Sequence, residues 1–159
     1  MHKKNIFILF FIVLYSFGQK NKELSLHVKE FEEIASLQKK QKKPVIVFLH
    51  TNWCKYCFAM KKNTFTNDDV IHKINTNYYF ISLDAESRKD IVFNKHVFKY
   101  KPSGANTGVH ELAIALTDNK LTYPSTIILS ANNEIIFKTD SFISSKDLLI
   151  VLDKITLHQ

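Results

Sequence analysis

The pentapeptide Trp53-Cys54-Lys55-Tyr56-Cys57 holds both cysteines of the 159-residue chain, and it follows directly on the apolar run Pro44–His50 (PVIVFLH). A continuous apolar run of this length reads as a strand covered on both faces, and helical spacing resumes at or near Cys54. The two thiols therefore sit where a buried strand turns into a helix. Two cysteines cannot staple a disulfide-dependent mini-protein. The chain is 45% hydrophobic and 23% charged, close to globular averages, which excludes a disordered tail and a membrane bundle. Thirteen Phe and six Tyr are enough to fill a core.

Periodicity lays out one domain around this junction. Val28, Phe31, Ile34, Ala35 and Gln38 predict a helix over Leu26–Gln41, ended by the Lys39–Lys43 cluster and Pro44. Beyond the cysteines, Asn67 is placed to cap a continuation through Asn75, and Tyr78–Asp84 is a second strand. Strand, helical crossover and strand make a right-handed βαβ unit with parallel strands. Ile91 to Tyr100 reads as a hairpin turning at Asn94-Lys95, with a helix as the alternative. Pro102–Gly108 is expected to be loop, followed by a helix through Val109, Leu112, Ala113 and Leu116. Thr126–Ser130 and Ile135–Thr139 form an antiparallel hairpin. Ser144 and Asp147 cap a last helix carrying Leu148, Val151, Leu152 and Ile155. Phe58 and Met60 fall on helical spacing and are expected in the core.

Residues 1–18 are expected to be a signal peptide. Lys3 and Lys4 are basic, Ile6–Phe17 is apolar, and Ser16-Phe17-Gly18 precedes a cut at Gln19. The 12-residue apolar run reaches about 18 Å as a helix, short of a bilayer core of about 30 Å; an uncleaved anchor is the alternative. The remaining chain, residues 19–159, is expected to be exported, for instance to a periplasm, where thiols meet oxidising conditions. The net charge of +7 raises a nucleic-acid partner, but Arg88 is the sole arginine, the lysines are scattered, and no such partner is expected.

Two thiols three positions apart at a helix start can close a small disulfide ring, and the free amides and dipole there favour a thiolate on the first cysteine. Cys54 is then the attacking sulfur and Cys57 the resolving one, with no organic cofactor. A disulfide closing so short a loop removes little unfolded-state entropy, so stability is a poor motive for it. A soft-metal site using Cys54, Cys57 and His50 is the competing reading. His72, His96 and His110 show no ligand spacing, although His110 leads into the helix before Pro124 and is a candidate neighbour of the cysteines.

The order helix, PVIVFLH, T-N-W-C-K-Y-C, helix, strand, then Tyr123-Pro124-Ser125-Thr126 before a hairpin and a final helix, resembles the thioredoxin superfamily. WCKYCFAMKKNTFTNDDVI is similar to exported thioredoxin-like proteins related to the C-terminal domain of the DsbD thiol:disulfide interchange protein. The resemblance implies an α/β thioredoxin fold: a βαβ unit plus hairpin and C-terminal helix around a central mixed sheet. It implies a redox disulfide between Cys54 and Cys57, a cis-proline at Pro124 presenting the Tyr123 backbone to substrate, and Trp53 as a landing surface. It further implies a monomer acting on disulfide-bonded or thiol-containing exported proteins, on the reducing side, with a membrane redox partner. Two departures stand out. Phe48 occupies the family's buried-acid position, which removes the proton acceptor of the resolving cysteine. Residues 86–108 form an insertion, expected as hairpin and loop.

Overall fold

The alternating side chains of the apolar run need cover on both faces, and the computed structural model, which describes residues 24–157, provides it. In chain order the elements are α1 (Phe31–Lys40), β1 (Val45–His50), α2 (Lys55–Ala59), a π-helical turn (Met60–Thr64), α3 (Asp68–Asn77) and β2 (Tyr79–Asp84). Four short strands follow, β3 (Ile91–Phe93), β4 (His96–Phe98), β5 (Tyr100–Pro102) and β6 (Gly108–His110). The chain ends in α4 (Glu111–Leu116), β7 (Ser125–Leu129), β8 (Ile135–Thr139) and α5 (Ser145–Leu157). The expected signal peptide, 1–18, lies outside the described residues.

The central sheet has the order β2-β1-β7-β8. β1 runs parallel to β2, with Phe48 opposite Ser82 and His50 opposite Asp84. It runs antiparallel to β7, with Phe48 opposite Thr126. Val45, Val47 and Leu49 point into one core with Phe31 and Ile34 of α1 and Leu112 and Leu116 of α4. Ile46 and Phe48 point into the other, with Cys54, Cys57, Met60, Phe65, Ile74 and Leu148. The thioredoxin-type mixed sheet expected from the sequence is thus present, and it sets the sulfurs at the C-terminal end of β1.

Local signals hold where they are self-contained. The Asn67 side chain accepts from the Val70 amide at the start of α3. Asn94 and Lys95 both have positive φ, which suits a two-residue turn joining β3 and β4. Ser144 Oγ accepts from the Asp147 amide at 3.2 Å, ahead of α5.

Four expectations are corrected. Residues before Glu30 are not helical: Val28 bridges Phe80 in parallel, and the Lys29 amide donates to the Phe80 carbonyl at 2.7 Å. The open edge of β2 offers those residues ladder bonds that an isolated first helical turn does not. The crossover helix is interrupted, since the Phe65 amide reaches back five residues to the Met60 carbonyl, a π-type bond. The stretch from Tyr100 is a second hairpin, β5 with β6, rather than loop running into helix. Gly108 permits it, because a Cβ there would lie 2.4 Å from the Lys101 carbonyl and 2.5 Å from the Tyr100 ring. Phe58 is 67% exposed while Met60 is fully buried, because Cys57 and Met60 set the inward stripe and Phe58 falls outside it.

Candidate active site

Cys54 is the N-cap of α2, and its Sγ accepts the Cys57 backbone N–H at 3.0 Å. The two sulfurs are bonded to each other, with Cα atoms 5.2 Å apart. Burial separates them: Cys54 is 7% exposed and Cys57 is 1% exposed. One sulfur lies at the helix start, and the other faces the core formed with Phe48, Phe65 and Phe80.

An aromatic rim surrounds the pair. Trp53 is solvent-exposed, yet its position is held, since the indole N–H donates to Glu86 Oε1 at 3.0 Å and its ring meets Tyr123 edge-on at 5.8 Å. The Tyr123–Pro124 peptide bond is cis. Tyr123 and Pro124 line a groove of about 350 Å³ with Tyr56, Asp140, Ser141 and Phe142. Burial, and then the nearby Glu86 and Asp84, push the Tyr123 phenol above its ordinary value, so it stays neutral and apolar in character. Trp53, Tyr123 and Pro124 are therefore brought to the disulfide end of the sheet, as the resemblance led us to expect. Tyr56, Phe142 and Glu86 join them without any sequence signal, because their placement depends on the β8–α5 connection and on the turn after β2.

His50 does not join the cysteines as a metal ligand. Its Nε2 lies 2.9 Å from Ser82 Oγ, and the Lys61 ammonium stands 3.3 Å from Nδ1 and 3.2 Å from Nε2. An ammonium on the ring edge is a poor neighbour for a metal ion, and among the described residues no group of three His, Cys, Asp or Glu is placed to hold one. Burial, and then Lys61, hold the imidazole below its ordinary pKa, with Asp84 opposing them. Burial also lowers the Lys61 ammonium, again against Asp84. His110 is likewise spent structurally: Nδ1 accepts from the Leu112 amide at 3.2 Å, and Nε2 lies 3.0 Å from the Lys89 carbonyl. Two buried hydroxyls, on Thr51 and Thr126, have no partner. Thr126 faces the sulfur-bearing layer opposite Phe48.

The insertion does not reach the sulfurs by its strands. It packs on α1, where Phe93 meets Phe31 edge-on at 5.0 Å and the Val92 amide donates to Glu32. A cavity of about 590 Å³ opens at the opposite end of the sheet, between Lys42 and Lys154, away from the site residues.

Comparison with known proteins agrees with this geometry. Residues 31–156 match the family described as "Thioredoxin-like domain". A solution structure of a thioredoxin from Thermus thermophilus superposes with a TM-score of 0.60 at 16% identity, covering 83% of this chain and 88% of that one. A structure titled "DsbH Oxidoreductase" gives 0.58 at 14% identity, covering 84% and 86%. The DsbD C-terminal domain of Neisseria meningitidis in its oxidised form gives 0.52 at 13% identity, covering 77% and 90%. At these identities the likeness is one of fold. Spermatogenesis-associated protein 20 of Rattus norvegicus is 28% identical over 60 residues, which is 38% of this chain and spans only 8% of that protein's length.

Proposed function

This chain belongs to the thioredoxin-like family, and from that premise we propose that it is an exported thiol:disulfide oxidoreductase working on the reducing side. The observation that carries the reading is the unequal pair: a sulfur capping a helix start and receiving an amide N–H, bonded to a sulfur buried behind it. Amide donors stabilise a thiolate on Cys54 once the pair is reduced. Cys54 attacks a disulfide sulfur of the substrate and forms a mixed disulfide. Cys57 then attacks Cys54 and expels the substrate thiolate. The exposed Trp53 and the groove beside Tyr123 and Pro124 offer apolar surface to a partner chain.

Export rests on the basic and apolar pattern of residues 1–18. The reducing direction rests on the resemblance of WCKYCFAMKKNTFTNDDVI to proteins related to the DsbD C-terminal domain. A dithiol in an oxidising compartment needs electrons delivered to it, and a membrane redox partner is the source proposed here.

Two measurements test the reading. Cys57→Ser should accumulate covalent mixed disulfides with exported proteins, whereas Cys54→Ser should abolish exchange. Trapping by neither variant would overturn the oxidoreductase reading. Equilibration of the Cys54–Cys57 couple with glutathione tests the direction. A potential near about −270 mV, the thioredoxin range, supports a reductant, and one near about −120 mV makes the protein an oxidant.

A further inference from the structure

We propose that His50, flanked by Lys61 and Ser82, takes the proton that the buried Cys57 thiol must lose and passes it out of the interior. The proposal rests on the oxidoreductase reading above. A thiol attacks only as its thiolate, and Cys57 is 1% exposed in a layer walled by Phe48, Phe65 and Phe80. Phe48 has no acid to offer, so the proton must leave by another group.

Strand alternation places His50 next after Phe48 on the sulfur-bearing face of β1, with the two rings 5.4 Å apart. Lys61 stands four residues after Cys57 in the same helical run, and its ammonium lies against the His50 ring at 3.2 and 3.3 Å. The imidazole is therefore next to Phe48 along the strand and touches the side chain one turn beyond Cys57 on the helix. It is itself buried, while Lys61 is exposed. His50 thus bridges a closed interior and the solvent. The groups facing it are Lys61 from the π-helical turn and Ser82 and Asp84 from β2. Burial and Lys61 keep the ring neutral at ordinary pH, which leaves a nitrogen lone pair to accept a proton.

In the resolving step the Cys57 S–H proton passes to His50, and the thiolate forms the Cys54–Cys57 bond as the Cys54–substrate S–S bond breaks. The substrate sulfur leaves with the electron pair, and His50 returns the proton to solvent beside Lys61. The protein dithiol is oxidised and the substrate disulfide is reduced.

An aromatic disulfide that releases a coloured thiolate separates the two steps, because reduced protein liberates one coloured thiolate on Cys54 attack and a second on Cys57 resolution. His50→Gln should slow the second release about 100-fold, the scale of a lost acid–base group, and leave the first within about twofold. The pH profile of the second release should lose its acid-side inflection. Lys61→Gln changes an exposed residue and keeps His50, so it tests the idea even where His50→Gln folds poorly. Losing that neighbouring charge should move the inflection to higher pH. If the second release keeps its wild-type rate and pH profile in both variants, the inference fails while the oxidoreductase reading stands. An unmoved inflection in Lys61→Gln alone also overturns it. If the wild type releases a single coloured thiolate, the reading fails and the inference falls with it.

Discussion

On one face of the central sheet Val45, Val47 and Leu49 meet α1 and α4, and on the other Ile46, Phe48 and His50 meet the layer that carries the sulfurs. Both faces come from the same six residues of β1, every one of them buried. The α1 face is apolar throughout its core, and it also holds the inserted hairpins through Phe31 and Phe93. The sulfur face includes a disulfide, a buried histidine at its margin, and the partnerless hydroxyl of Thr126. Buried polar groups without partners cost free energy, so this second face gives up stability that the first supplies. The sheet separates folding from chemistry by strand parity, which makes each face open to perturbation without the other.

The largest effect should come from the face that has no chemistry. Leu49→Ala removes a fully buried side chain and should cost about 2–5 kcal/mol by the scale of core truncations. Denaturant unfolding would register it, while exchange per folded molecule stays at the wild-type rate. A matching loss of specific activity would mean that the faces are coupled. A middle-sized effect belongs to the rim of the other face. Trp53→Ala should slow exchange with protein disulfides about tenfold, the scale of one interface anchor, and leave small thiols unaffected. Equal slowing of both would assign Trp53 to holding the helix start through Glu86 and Tyr123 rather than to the partner.

The smallest effect is electrostatic. Burial and Lys61 hold folded His50 below the ordinary value of 6.5, so the unfolded chain binds that proton first as pH falls. Stability from this group is therefore complete above pH 6.5 and declines as pH drops toward the folded value. His50→Gln should flatten that decline in thermal melts recorded between neutral and mildly acidic pH. An unchanged slope would show that the ring titrates alike in both states.

Much of this was legible because it is local. PVIVFLH needs no partner to be read as a doubly covered strand, and Asn67, Asn94-Lys95 and Ser144 act on amides or dihedrals within a few residues. WCKYC identifies its two sulfurs by spacing alone. Elsewhere local pattern and tertiary demand disagreed. Residues 26–28 carry helical spacing, but the edge of β2 offered them bonds. Tyr100–His110 contains Pro102 and Gly108, which read as loop, yet Gly108 is what lets the second hairpin close against Tyr100. Phe58 matched a helical stripe whose phase is set by Cys57 and Met60.

The sequence by itself determined the sheet-forming strands, the placement of the two sulfurs at a strand-to-helix junction, and the family. Each of these depends on periodicity, capping or spacing along the chain. Only the tertiary structure decided which sulfur is the more deeply shielded, which side chains rim the pair, and that His50 turns to Lys61 and Ser82 instead of to the cysteines. Those outcomes depend on strand register and on the π-type step at Met60, which bring together groups up to 32 residues apart. No pattern along the chain encodes such a distance; it is set when two faces of a sheet are packed at once.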